Sequence, residues 1–271
     1  MSLLRRYRLF TRNALSRLLT YRANVLLFIF GNILQTVVLF YLWRAVFRSS
    51  SSAALKGFSF PEMVVYLIAS TATIQLTRSG ADEVIADEIR DGAIAMNLVR
   101  PIDYRLRVLF DSFGTSLYNF AFVGLPAIAA IALLLGLWKG EPAMPVLHIP
   151  EFLLSLALAF ALNFSYLFCF GLVAFVTTNM WGMSRLEMVV ASLFSGSLIP
   201  LVFFPGWLRE LSTFLPWASM GYTPVMALLG KLQGASLIGA LGIEAAWALF
   251  FIWLSGWAWD RLVRRLAVNG G

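Results

Sequence analysis

The 271-residue sequence holds one cysteine, Cys169, and one histidine, His148. A single cysteine excludes an intrachain disulfide. One of each leaves neither a His/Cys metal cluster nor a Ser–His–Asp triad enough members. His148 stands in a proline-rich loop with no second ligand near it and reads as a surface residue; no metal site is expected. Charge is scarce too: 13% of residues are ionised, against ~25% in ordinary soluble domains. No Gly-x-x-x-x-Gly-Lys-Ser/Thr loop occurs, because Gly230-Lys231 lacks both the first glycine and the hydroxyl residue. ATP binding by that route is therefore excluded. There is no internal repeat, which argues against the inverted-repeat secondary transporters. Carboxylates at mid-depth of the apolar runs, the usual mark of an ion pathway, are missing as well. Glu244 reads as lying near an outer end, Glu187 and Asp111 near inner ends. These absences exclude most enzyme classes and leave the chain without an energy source of its own.

What is abundant is oil: 60% of residues are hydrophobic and the mean hydropathy is +0.79. No soluble fold of this size covers that much apolar surface with so little charge. The expected class is an all-α, polytopic membrane protein forming a single transmembrane domain. Six apolar stretches are long enough to enter a bilayer: 23–43, 60–78, 110–137, 151–177, 188–204 and 236–259. A polar loop is expected over Arg44–Ser59 and a tight turn over Thr177–Glu187. Residues 1–22 carry six arginines and no acid, with Leu4, Tyr7, Phe10, Ala14, Leu18 and Tyr21 at helical spacing. That pattern predicts a basic amphipathic helix lying in the headgroup layer. No cleavage site follows it, so the segment is expected to be retained. With both termini in the cytosol, fifteen of the 21 Lys and Arg fall inside and six outside. The net charge of +7 then belongs to cytoplasmic span ends and the lipid surface, and no nucleic-acid partner is expected. Residues 205–226 are aromatic but cut by proline into short pieces, with Pro205, Trp207, Pro216 and Trp217 as landmarks. Such pieces cannot cross a bilayer and read as an outer re-entrant hairpin.

The most unusual stretch is the charged island at 79–107, between the second and third spans. Val84, Ile85 and Ile89 share one side of a short helix over Asp82–Asp91, ringed by Asp87, Glu88 and Arg90. Gly92 is a helix stop. Arg100-Pro101 breaks the apolar segment that follows, because the residue before proline avoids the helical region. An apolar stripe with a charged rim fits a partner's groove. Inside the membrane the chain offers amides and hydroxyls, among them Gln35, Asn163 and Ser195. Either these make interhelical hydrogen bonds or they line a weakly polar path.

Two motifs carry a resemblance. Glu88-Ile89-Arg90-Asp91-Gly92, continuing to Leu98-Val99-Arg100-Pro101-Ile102, resembles the cytosolic stretch of the permease subunits of type 2 ATP-binding-cassette (ABC-2) exporters. Phe204-Pro205-x-Trp207-Leu208 and Leu215-Pro216-Trp217 are similar to that family's outer hairpin. Within it, the chain looks most like a branch of uncharacterised six-span permeases. The resemblance implies a non-enzymatic subunit of a bacterial cytoplasmic (inner) membrane exporter. Two ATPase subunits would hold ATP and Mg, with no cofactor on this chain. A second six-span permease, identical or related, would pair with it, and spans 1, 2 and 5 would line the path. The helix over 82–91, with Arg100 and Pro101 beyond it, would be the coupling element. Abundant aromatics, 15% of residues, fit a hydrophobic or amphiphilic cargo such as a drug or lipid. Two other readings stay open: a secondary transporter or channel subunit, and a membrane biogenesis factor without transport of its own.

Overall fold

The computed structural model describes residues 3–20, 22–52, 54–138, 147–177 and 180–269, and its described residues are almost entirely helical. Helix α1 (Leu3–Thr20) does not float free at an interface. Its Tyr7 and Ala14 are buried, and it lies along the later helix α6 (Tyr104–Asn119). Thr11 donates to the Phe110 carbonyl at 2.7 Å and Arg17 meets Asp111 at 3.1 Å. A Cβ at Gly114 would stand 2.5 Å from the Thr11 carbonyl oxygen, so only glycine permits this approach. Part of the stripe expected to face lipid thus faces protein, while Leu9 and Leu19 stay exposed.

Helix α2 (Arg22–Ser49) runs through Arg44 and Arg48, where a loop was expected. Trp43 and Phe47 explain the extension: they pack on Phe203 and Phe60 respectively, which rewards another two turns. A two-strand hairpin, β1 (Ala54–Leu55) against β2 (Phe58–Ser59), turns through Lys56 and Gly57, both at positive φ. It delivers the chain into α3 (Phe60–Thr77), where Ser59 and Glu62 form a reciprocal capping box and Pro61 fills the first turn. Then come α4 (Ala81–Arg90) and α5 (Ala93–Val99).

The third expected span begins earlier than residue 110. Asp103 caps α6, accepting from the Leu106 amide at 2.9 Å, and the helix continues through a π-turn (Phe120–Gly124) into α7 (Leu125–Leu137). Pro126 accounts for the π-turn: it has no N–H to offer the Phe122 carbonyl, and the ladder resets around the gap. Helix α8 (Ile149–Gly171) ends in a 3-10 turn (Leu172–Phe175).

The fifth span differs most. Helix α9 (Trp181–Phe194) starts inside the expected turn and stops well short of Phe204. Gly196, with φ +72, and Pro200 end it, and a 3-10 turn (Leu201–Phe203) follows. Its 14 residues reach about 21 Å. The proline-cut segment forms three short helices, α10 (Gly206–Phe214), α11 (Pro216–Met220) and α12 (Tyr222–Leu228). Last comes α13 (Gly234–Asn269), whose 36 residues extend past the expected end at 259.

Among the described residues, four helical stretches are long and apolar enough to cross a membrane: Val25–Ser49, Tyr104–Leu137, Ile149–Phe175 and Gly234–Arg264. Two larger apolar cores flank a small third one of Leu162, Met220 and Ala248. One holds Phe58, Tyr66, Leu201 and Val225, near the Lys231–Glu62 ion pair and the Lys231 bond to the Gly57 carbonyl. The other holds Ile85, Tyr104, Phe168 and Trp259, near the Glu88–Arg107 pair.

Candidate coupling region and translocation path

Helix α4 carries the charged island. Its ends are set by glycines: Gly80 before it and Gly92 after it both stand in the left-handed region, at φ +64 and +71. Its apolar side is not offered to a partner. Ile85 is fully buried against Tyr104, Val108, Phe168 and Leu172, and Ile89 packs on the margin of the same cluster. Val84 is half-buried. Ile85, and at its margin Ile89, thus face a groove that the bundle itself supplies and not an outside one. The reason is a glycine on α8. A Cβ at Gly171 would meet the Asp82 Cα at 2.9 Å and Ile85 side-chain carbons at 3.1 Å, so the two helices touch backbone to backbone.

The charges sort into two sets. Glu88 points inward. Arg107 donates to its Oε1 at 2.5 Å and the Tyr104 hydroxyl donates to its Oε2 at 2.8 Å. The Arg107 guanidinium also lies over the Tyr104 ring, 4.8 Å from its centroid, and that ring stacks on Trp259 at 4.4 Å. This one carboxylate thus ties α4 to α6 and, through Tyr104, to α13. Asp87, Arg90 and Asp91 point outward and, among the described residues, form ion pairs with one another. Beyond Gly92, α5 presents Met96 and Val99, which are 68% and 84% exposed. Arg100 closes α5 in an extended conformation before the exposed Pro101.

Asp82 is buried at the start of α4, where its Oδ2 accepts from Ser184 of α9 at 3.3 Å. Burial raises its carboxyl above the ordinary range and the Glu83 charge adds to this; Arg78, the Glu83 amide and Ser184 pull the other way. A raised folded-state value favours the protonated form, so this residue's contribution to stability falls as pH rises through it. Asp82→Asn is therefore expected to gain thermal stability over the parent protein in detergent, with a larger gain at pH 8 than at pH 5. A gain that does not change with pH would contradict this account.

The three residues expected to line a path are not brought together. Gln35 is on the exposed face of α2. Asn163 accepts from the Ser79 amide at 3.1 Å and reaches the Met220 sulfur, holding the α3–α4 junction against α8. Ser195 is buried at the end of α9, with its hydroxyl on the Ser192 carbonyl. The polar side chains that do meet are others. Gln75 donates to Asn32 at 3.0 Å, and Asn119 donates to the Gln75 carbonyl at 2.6 Å, linking α2, α3 and α6.

Glu244 is a further buried polar group, on α13. It is fully buried in α13, ten residues past Gly234. Ser155 of α8 donates to its Oε2 at 2.7 Å, and Oε1 has no partner among the described residues. Helical spacing along 155–171 and 234–269 would have been needed together to find this pair, and neither helix shows it alone.

In the hairpin, Pro205 precedes α10 and Trp207 is largely exposed. Pro216 is buried and Trp217 packs against Tyr166 of α8 and Phe194 of α9. Trp247 of α13 donates to the Phe214 carbonyl at 2.9 Å. Helix α12 is buried along its whole length, against α3 and α8.

This is a multi-pass helical membrane protein that presents a charged helical island at one end of its bundle. The profile of the ABC-2 family transporter protein matches residues 33–270, and the chain belongs to that family. No curated protein matches it. Members of the family are transmembrane components that work with ABC ATPase partners and are not themselves catalytic.

Proposed function

We propose that this chain is the six-span permease subunit of an ATP-driven exporter of a hydrophobic or amphiphilic compound. Two separate ATPase subunits would supply the energy through α4 and α5, holding ATP and Mg themselves. The observation that carries the reading is the linkage of Glu88 to Arg107 and Tyr104. A push on the exposed side of α4–α5 reaches the feet of α6 and α13 through a buried ion pair and a stacked ring.

The six spans are α2, α3, α6–α7, α8, α9 and α13, with both termini in the cytosol of a bacterial inner membrane. Helix α9 is short because the hairpin α10–α12 fills the outer part of its track. Helices α2 and α9 have the most open faces, with Leu26, Phe30, Leu34, Tyr41, Leu186 and Val189 exposed. Those faces suit a second permease, identical or related, and a path between the two copies. Gln35 would face that seam, while Asn163 and Ser195 serve to hold helices together.

The contact with the ATPase is Met96 and Val99, rimmed by Asp87, Arg90, Asp91 and Arg100, with Gly92 and Pro101 setting the angle. Apolar anchors carry most of such an interface and rim charges set its register. Met96→Asp combined with Val99→Asp is expected to lower co-purification of the ATPase by more than tenfold, with the permease still inserted. Undiminished co-purification would remove α5 from the contact.

A further inference from the structure

A groove of about 1320 Å³ runs between α6–α7 and α8, with α3 as its floor. Leu109, Phe113, Ile128, Phe152 and Phe160 represent its lining, which is almost wholly apolar. Along α8 it extends from Ile149 to Ser165, about 24 Å by helical rise and so most of the ~30 Å hydrocarbon layer. At one end its lining includes a single cation, Arg105, with Asp103 beside it.

Arg105 is held in place without an ion pair, its guanidinium 5.9 Å from the centroid of the Phe168 ring. Its Nη2 donates to Ser255 Oγ at 2.9 Å and to the Ile252 carbonyl at 3.3 Å, both uncharged acceptors on α13. Gly256 lets it lie there, since a Cβ at that position would stand 2.8 Å from Nη1. Its Nε is buried with no partner, and among the described residues no ion pair includes it. Asp103 makes no ion pair with it among the described residues; one of its carboxylate oxygens accepts from the Leu106 amide as the cap of α6.

We propose that this groove holds the acyl chains of an anionic phospholipid whose phosphate meets Arg105. A lipid without a phosphate would fill the oil and leave the guanidinium unanswered, and in phosphatidylcholine the choline cation offsets the phosphate; an anionic headgroup answers the charge in full. Basic pockets between membrane helices take anionic headgroups for this reason. A second copy of the chain fits less well, since the open faces of α2 and α9 lie elsewhere. Which leaflet supplies the lipid rests on the orientation proposed above. The binding itself does not, and it is read without any ATPase.

The full chain in detergent is titrated with phosphatidylglycerol and with phosphatidylcholine of the same acyl chains, and bound lipid is counted by native mass spectrometry. Phosphatidylglycerol is expected to bind about fivefold more tightly. That preference should fall to near parity in Arg105→Gln. Ala157→Trp, which places a ring in the groove, should lower retention of both lipids. Equal retention of the two lipids by the unaltered chain would overturn the proposal without reference to any variant. So would a preference that survives Arg105→Gln, or unchanged retention in Ala157→Trp. Efficient disulfide linkage between two copies through Ala157→Cys, with Cys169 changed to serine, would assign the groove to a partner copy and overturn it too.

Discussion

Gly171→Val should leave the protein in the membrane but disconnect ATP hydrolysis from transport. The added Cβ would stand 2.9 Å from the Asp82 Cα and 3.1 Å from two Ile85 carbons. The first of these is backbone, which no rotamer change can move aside. Ala81 and Ile85, which face this contact, are fully buried, so α4 has no slack on that side. The helix must tilt away from α8, and over-packing of this kind costs about 1–3 kcal/mol. That is too little to unfold a multi-helix bundle, yet enough to shift a surface that must meet a partner squarely. The measurement is transport and ATP hydrolysis by the reconstituted complex: hydrolysis persists and transport is lost, with Gly171→Ala intermediate. Transport at the parental rate in Gly171→Val would show that the seating of α4 on α8 does not matter for coupling.

Arg107→Ala should be the most destabilising single change in the island. The Arg107 and Glu88 side chains are 10% and 16% exposed, so water screens their pairing poorly. Removing one partner of a buried pair costs about 3–5 kcal/mol, because it strands the other charge. Here Glu88 would keep only the Tyr104 hydroxyl, and the guanidinium would be lost from above the Tyr104 ring. The thermal midpoint in detergent should fall sharply, with less folded protein recovered. Glu88→Ala with Arg107→Ala should recover part of that loss, since no charge is then left alone. If Arg107→Ala melts like the parent, the pair is not what joins α4 to α6.

The sequence was most informative where local chemistry decides structure. The helix at Ala81–Arg90 and its stop at Gly92 follow from charge spacing and from a residue that tolerates positive φ. The start of α3 follows from Ser59, Pro61 and Glu62, and the break after α5 from Pro101. It was less informative wherever the answer needed a second helix. Arg44 and Arg48 looked like loop residues because the aromatic support for this end of α2 comes from other elements, Phe60 of the next helix and Phe203 far along the chain. The inward turn of Ile85 depends on a glycine 86 positions away, and no pattern within the island announces it.

By itself, then, the sequence determined the class: an oily, charge-poor, helical chain with no ATP-binding loop and one charged island. Composition and turn chemistry are local quantities, and they suffice for that. Only the tertiary structure decided which way the island faces. An amphipathic helix has one apolar side whether it seats in a partner or in its own bundle, and the choice is made by the shape of what lies opposite. Here the bare surface at Gly171 admits Ile85, the buried Arg107 claims Glu88, and the side left open is charged, with Met96 and Val99 of α5 exposed beside it.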